Sequence, residues 1–315
     1  NLGTPDAPEP KAVRRYLAEF LSDPRVIEIP RLVWKPILHG IVLRTRPAKS
    51  AEAYRQIWTE EGSPLMAISR RQAAKLRERL GDEVAVGLAM RYGSESIGYA
   101  ISKLVDQGFR RILLAPLYPQ YCAATTASAM DAAFAKIADM RWQPALRTLP
   151  PYYDDPHYIG ALTTNLKRQL SALDFLPDRL LLSFHGMPER TRALGDPYHD
   201  QCQATARLVT EKLDIPVDFA FQSRFGRAKW LGPATDAVLK AYPGQGVKKI
   251  AVAAPGFSAD CLETLEELGI RGRDTFRGAG GTHFARLDCL NDSDEGMAML
   301  DALIRRELAG WWPAS

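Results

Sequence analysis

The stretch LLLSFHGMPER, residues 180–190, closes an apolar run on Ser183, Phe184, His185 and Gly186. A neutral imidazole in such a place can take up a proton or bind a metal near neutral pH. Gly186 removes bulk beside the ring, and Met187-Pro188 direct the chain away from it. A core histidine at a strand end would use the same residues, so this stretch alone leaves both readings open. A second group lies in GFSADCLETLEELG, residues 256–269, which follows another apolar run and should begin a helix. Asp260, Glu263 and Glu267 are spaced i, i+3, i+7 and would share one helical face. Acids near a helix N-terminus favour its dipole, and acidic faces are usually solvated. The same row, turned toward an opening, could guide a hard cation or relay protons.

Aromatic residues stand near these groups. APLYPQYCAATT supplies Tyr118 and Tyr121, and RAKWLGP, residues 227–233, supplies Trp230. Aromatics fill domain interfaces, and they also stack on flat aromatic ligands. The segment RLVWKPILHGIVLRTRP, residues 31–47, is apolar and basic and contains Pro36. It is too short to span a bilayer, and reads as a cleft lip, an interfacial membrane patch or a buried helix. There is no G-x-x-x-x-G-K loop and no G-x-G-x-x-G after a strand, so nucleotide chemistry has no support.

The elements that must position these residues are apolar runs alternating with amphipathic segments. Strands are expected at 83–89, 111–117, 179–184, 217–221, 249–255 and 282–287. Continuous apolar strands separated by helices indicate parallel α/β sheets covered on both faces. The second half echoes the first. QGFRRILLAPLYPQYCAATT (107–126) and QGVKKIAVAAPGFSADCLET (245–264) share one layout. VGLAMRYGSES parallels DFAFQSRFGRA, setting Arg91-Tyr92-Gly93 against Arg224-Phe225-Gly226, and NLGTPDAP resembles SFHGMPER. Two similar Rossmann-like domains follow, each a parallel sheet flanked by helices, with a cleft between them. Ligands of open parallel sheets sit beyond the carboxyl ends of the strands. That rule selects Arg91-Tyr92, Tyr118, His185, Arg224 and the residues after Pro255.

The 315 residues, 46% of them hydrophobic, allow more than one core, and a net charge of +4 argues for neither nucleic acid nor a polybasic anchor. No run reaches the roughly 20 apolar residues of a membrane span. The opening NLGTPDAPEPKAV has no basic region followed by an apolar one, so no signal peptide is expected. Cys122, Cys202, Cys261 and Cys289 are scattered without a C-x-x-C pair, which supports neither a zinc site nor a cysteine-held cluster. A reducing cytoplasm is the expectation.

Taken together, NLGTPDAP, FLSDPRVIEIPRLVWKPIL, EGSPL, MRYGSES, APLYPQY, SFHGMPER, FQSRFGRAKWLGP and PGFSADCLETLEELG resemble the ferrochelatases, across nearly the whole chain and in family order. The wording is similar to that of Gram-negative bacterial members. The resemblance implies the chelatase fold and insertion of Fe²⁺ into protoporphyrin IX to form protohaem, the last step of haem synthesis. It implies that His185 and Glu263 are catalytic, and that His185, Glu263, Glu267 and Asp260 meet the metal. It places Arg46, Tyr54, Ser63, Arg91, Tyr118, Trp230 and Phe257 around the porphyrin or its propionates. It implies no tightly bound cofactor, iron being a substrate. Some relatives carry a histidine where this chain has Cys261. The cysteine-rich extension that holds an iron–sulfur cluster in animal members has no counterpart before GWWPAS, so no cluster is expected. The implied setting is the cytoplasm, with peripheral inner-membrane contact through 31–47.

The expected partition is a first domain of 1–148 with 290–315 returning to it, and a second of 149–289 that carries His185 and the acidic helix. Two rival readings stand beside this one: a chelatase for another tetrapyrrole or metal, and a two-domain protein that binds a tetrapyrrole without chemistry.

Overall fold

The computed structural model describes residues 1–225 and 228–312. Gly226 and Arg227, within the second Arg-aromatic-Gly repeat and RAKWLGP, and the last three residues of GWWPAS lie outside the described residues. Among the described residues six strands run β1 Arg111–Leu114, β2 Ala145–Thr148, β3 Arg179–His185, β4 Val217–Gln222, β5 Lys249–Ala253 and β6 His283–Arg286. All their pairings are parallel. β1 pairs with β2, and the other four form one sheet in the order β4-β3-β5-β6. This is the α/β class that the apolar runs predict.

Five of the six expected strands are present, and the one at 83–89 is not. Its end is held instead by single contacts to the first residues: the Asn1 amino group donates to the Ala89 carbonyl at 2.9 Å. The amides of Arg91 and Tyr92 donate to Asn1 and Leu2. Only an isolated Gly3–Tyr92 bridge results. Gly87 has no side chain to pack, and glycine weakens a strand interior. β2, in contrast, was not expected. Its sequence ALRT is short, with two apolar residues followed by two polar ones, and is exposed to half-buried, as befits a strand with one neighbour.

The chain divides into two compact units. One comprises Asn1–Leu117, Cys122–Pro150 and Leu300–Ser315; the other comprises Tyr118–Tyr121 and Pro151–Met299. Residues 118–121 and 290–299 thus group with the second unit, where the sequence reading put them with the first. Hydrogen bonds account for both. The Tyr121 amide donates to Gln201 Oε1 at 2.6 Å, and Gln120 Nε2 donates to Thr205 Oγ1 at 3.0 Å. Asn291 is bonded to Asp260 through both its side-chain polar atoms.

In the second unit, Leu180, Leu181, Leu182, Ser183 and Phe184 of β3 are fully buried in succession. Side chains alternate between the faces of a strand, so both faces of β3 are covered. On one face, Leu181, Ile250 and Val252 pack with Leu239, Leu268 and Phe276. These last three come from the helix Thr235–Ala241, the π-helix Glu263–Gly272 and the helix Arg273–Gly278. The helices Tyr198–Thr210 and Thr235–Ala241 both pack on β4. In the first unit, Ile97, Ile101, Ile112, Ala129 and Ala133 form the core around β1.

The two units repeat a local device. A buried cysteine, Cys122 or Cys261, precedes a π-helical stretch, Ala123–Ala127 or Glu263–Gly272. Three residues after each cysteine a threonine hydroxyl lies close to the cysteine's carbonyl oxygen, Thr125 at 3.3 Å and Thr264 at 3.2 Å. π-Helical turns are rare and often mark functional sites. Their recurrence at matching places supports the duplication seen in the sequence. Pro36 does not end its helix: Arg31–Ile37 runs through it and continues as a π-turn over Leu38–Val42. A proline has no amide to give to the fourth residue back, and the widened turn follows at once.

Candidate active site

His185 is the last residue of β3 and stands in register with Gln222 at the end of β4. The next step of the chain is tightly constrained. The Gly186 amide donates to the Gln222 carbonyl at 2.7 Å. A Cβ on Gly186 would lie 2.6 Å from that oxygen and 3.3 Å from Trp230 Cε3. Glycine is required here by a close approach of two strand ends. The exit over Met187 and Pro188 is bracketed by residues 229–231. The Leu231 amide donates to Met187 O at 2.8 Å and the Glu189 amide to Lys229 O at 2.9 Å.

His185 Nδ1 lies 2.8 Å from the Gly186 carbonyl oxygen. That oxygen only accepts, so Nδ1 carries a proton, and in the neutral ring Nε2 keeps its lone pair. The ring is half-buried, with the Phe257 ring centroid 6.4 Å away. Trp230 is half-buried against Phe225, ring centroids 5.1 Å apart. Its buried Nε1–H meets no acceptor among the described residues. Tyr118 is half-buried in a segment fixed by Gln120 and Tyr121 as above.

The three acids do not form one row. The π-helix begins at Glu263, and Asp260 precedes it. The Asp260 carboxylate is buried and receives four donors. Oδ1 accepts from Thr264 Oγ1 at 2.7 Å and Arg286 at 2.8 Å. Oδ2 accepts from Asn291 Nδ2 at 2.7 Å and the Cys289 amide at 3.3 Å. A carboxylate has about four lone-pair sites, so Asp260 is saturated. Glu267 accepts one bond on each oxygen, from the Ser223 amide at 2.7 Å and Ser223 Oγ at 2.5 Å. Ser223 takes a left-handed φ of 64° to make them. Glu263 is half-buried, and its backbone carbonyl accepts from Gln222 Nε2 at 2.9 Å. Burial, and after it the Glu263 charge and hydrogen bond, push the Cys261 thiol well above its usual range. The thiol therefore stays protonated beside that carboxylate. Among the described residues no three His, Cys, Asp or Glu side chains are grouped to hold an ion.

The first unit holds the other expected residues. Arg46 is exposed on the helix Leu43–Ile57, and Tyr54 is buried on that helix, 6.1 Å from Trp58. Ser63 Oγ accepts from Thr4 Oγ1 at 2.8 Å. Arg91 is held in a buried network: it meets Asp23 at 2.6 Å, and its Nε donates to the carbonyl and hydroxyl oxygens of Ser128. Tyr92 and Ser128 also donate to Asp23 Oδ2. Burial alone would raise the Asp23 carboxyl. Hydrogen bonds from Ser128, the Arg25 amide and Tyr92, with the Arg91 charge, outweigh it and hold Asp23 below its usual range. The segment after Pro30 is open: Leu32 is 91% exposed, with Val33 and Ile41 also exposed, and no residue of Arg31–Ile37 is buried.

Sequence reasoning missed Ser183, Gln222, Ser223 and Thr235. The signal was available in part, because Gln222 and Ser223 are polar residues directly after the apolar run VDFAF at a strand's carboxyl end.

The ferrochelatase family model matches residues 1–308. The chain belongs to the ferrochelatase family. A ferrochelatase of Rhizobium meliloti is 54% identical, with 99% of this chain and 94% of that one covered. A ferrochelatase of Shewanella denitrificans is 52% identical, with 97% and 95% covered. Family membership carries the activity, insertion of iron into a porphyrin for haem synthesis, and makes the protein an enzyme. Among solved structures, SirB from Bacillus subtilis with Fe3+ matches with a TM-score of 0.56 at 14% identity, covering 80% of this chain and 94% of that one. CbiX, described as the terminal enzyme of sirohaem biosynthesis in denitrifying bacteria, matches at 0.51 and 16% identity, covering 81% and 92%. These two establish the chelatase fold.

Outcomes for three variants follow from this geometry. Asp23→Asn should cost about 3 kcal/mol in denaturant unfolding, since it leaves Arg91 without its buried partner. Because the Asp23 pKa is lowered in the folded state, its stabilisation is whole above the ordinary carboxylate range near about pH 4 and is lost as pH falls through the lowered value. The wild-type minus Asn difference should therefore shrink on acidification. Gly186→Ala should cost about 1–3 kcal/mol by overpacking. Gly160→Ala, in the helix Pro156–Ser171 with open space around it, should gain about 0.5–1 kcal/mol.

Proposed function

We propose that this chain inserts Fe²⁺ into protoporphyrin IX, with His185 and Glu263 as the groups that remove the pyrrole protons and pass on the metal. One observation carries the reading. His185 keeps its Nε2 lone pair available because Nδ1–H is spent on Gly186 O, and Glu263 is tied to the same strand end through Gln222.

A free porphyrin carries two N–H protons and a flat array of lone pairs. Insertion releases both protons and admits one dication, so the ring enters and leaves the site with the same charge. The protein accelerates this by binding a puckered ring better than a flat one, which is differential binding of the activated form. Phe257, Trp230 and Tyr118 of the second unit supply aromatic surface for that purpose, while Arg91 in the first unit is committed to Asp23 and Ser128. A positioned base adds about 10²–10⁴-fold, and His185 is that base. Imidazole and carboxylate suit Fe²⁺ while leaving it free to depart, as a closed thiolate cage would not.

The carboxylates divide by their remaining capacity. Glu263 is the one left to exchange protons or touch iron, Glu267 retains part of its capacity, and Asp260 has none to offer and anchors the turn. No resident cofactor is needed, because iron is a substrate. The exposed Leu32, Val33 and Ile41 with Arg31, Lys35 and Arg44 supply a peripheral contact for an anionic lipid surface at the inner face of the membrane. Among the described residues no helix is long and apolar enough to cross a membrane.

The direct test is anaerobic absorbance with protoporphyrin IX and Fe²⁺ or Zn²⁺. Metallation is expected. Ring binding without metallation would favour a binding protein, and no tetrapyrrole binding would overturn the reading. Glu263→Gln should lower kcat about 100-fold or more, and Glu267→Gln less than about 10-fold; equal losses would spread the role over the whole acidic helix. Leu32→Glu with Ile41→Glu should abolish co-sedimentation with phosphatidylglycerol vesicles and leave metallation in detergent intact.

A further inference from the structure

We infer that Gln222 is a positioning residue that couples His185 to Glu263, and that Ser183 and Thr235 brace its amide. The inference rests on the roles proposed above for the histidine and the glutamate. It starts from polar side chains the mechanism does not use. Ser183 is fully buried, and Gln222 and Thr235 are 3% exposed each. Three such groups inside an apolar strand layer are costly unless each is satisfied.

Their bonds run in one direction. Gln222 Nε2 donates to the Glu263 carbonyl at 2.9 Å, which fixes Oε1 as the other end of the amide. Oε1 accepts from Ser183 Oγ at 2.8 Å. The serine proton is then spent, so the Thr235 hydroxyl, 2.8 Å away, donates to Ser183. The chain reads Thr235 to Ser183 to Gln222 to Glu263. At its other side Gln222 is the residue opposite His185 in the parallel register, and its backbone oxygen takes the Gly186 amide at 2.7 Å. Both ends of the catalytic pair are therefore one hydrogen bond or one register step from a single residue. The amide cannot flip without setting its oxygen against the Glu263 carbonyl, two acceptors face to face.

Glu263 opens the π-helix, so the Gln222 donor holds a peptide group of its first turn. Losing the Gln222 donor frees that turn by a fraction of an ångström, and misplacements of about 1 Å can cost about 10²-fold in rate. Porphyrin binding does not involve the buried amide, so KM should not move.

The test is a kinetic series. Gln222→Met keeps length and volume but has no amide; kcat should fall about 10-fold or more with KM for protoporphyrin IX within about two-fold. Thr235→Val keeps shape and removes the first donor, and should lower kcat by a smaller factor. Thr235→Ser restores a hydroxyl and should restore kcat. If Gln222→Met does not fold, the threonine pair carries the test alone. Wild-type kcat in Gln222→Met or in Thr235→Val, a raised KM at unchanged kcat, or equal impairment in both threonine variants would each overturn the coupling. Glu263→Gln is measured in parallel. If it retains wild-type turnover, the underlying site reading has failed; if it is impaired while Gln222→Met and Thr235→Val are not, only the coupling has failed.

Discussion

The contact on which the second unit's chemistry depends is the 2.7 Å hydrogen bond from the Gly186 amide to the Gln222 carbonyl. It brings the ends of two parallel strands closer than any side chain on residue 186 would permit. That closeness sets the place of His185, leaves the Gly186 carbonyl free to take its Nδ1 proton, and lets residues 229–231 bracket the exit. The same Gln222 reaches across to the first residue of the π-helix. Gln222 thus meets the turn after His185 through its backbone and the first turn of the π-helix through its side chain. Effects of this kind are about geometry more than net energy, since one hydrogen bond contributes only about 1 kcal/mol to folding.

Saturation of lone pairs sorts carboxylates that look alike in sequence. Asp260 receives four donors, Glu267 two, and Glu263 sits beside a thiol held in its protonated form. A buried acid with every site occupied anchors structure, and one with sites to spare can exchange protons. Asp23 and Arg91 in the first unit illustrate the anchored case, where a motif arginine is committed to a buried ion pair and to Ser128.

Much of this was legible in the sequence. The buried strands β3 and β5 read directly from uninterrupted apolar runs, because both of their faces are covered. His185 was placed correctly at a strand's carboxyl end, and the family followed from motifs spread along the chain. The strand expected at 83–89 failed because apolar content does not report whether a neighbour is present to complete a ladder. The acid row failed because i, i+3, i+7 spacing presumes an α-helix that includes Asp260, whereas a π-helix starts at Glu263. Ser183, Gln222 and Thr235 went unnoticed for a different reason. Hydrogen-bond direction depends on which residues meet across 39 and 52 positions of chain, and composition carries no trace of it.

The central claim is that His185 supplies the base for metal insertion, and chemical rescue tests it most directly. His185→Ala would be assayed with protoporphyrin IX and Fe²⁺ under anaerobic conditions, with porphyrin affinity followed by fluorescence and imidazole added in steps. The account predicts unchanged porphyrin affinity, metallation reduced by about 10² or more, and recovery that rises with imidazole concentration. Metallation at the wild-type rate in the absence of imidazole would contradict it.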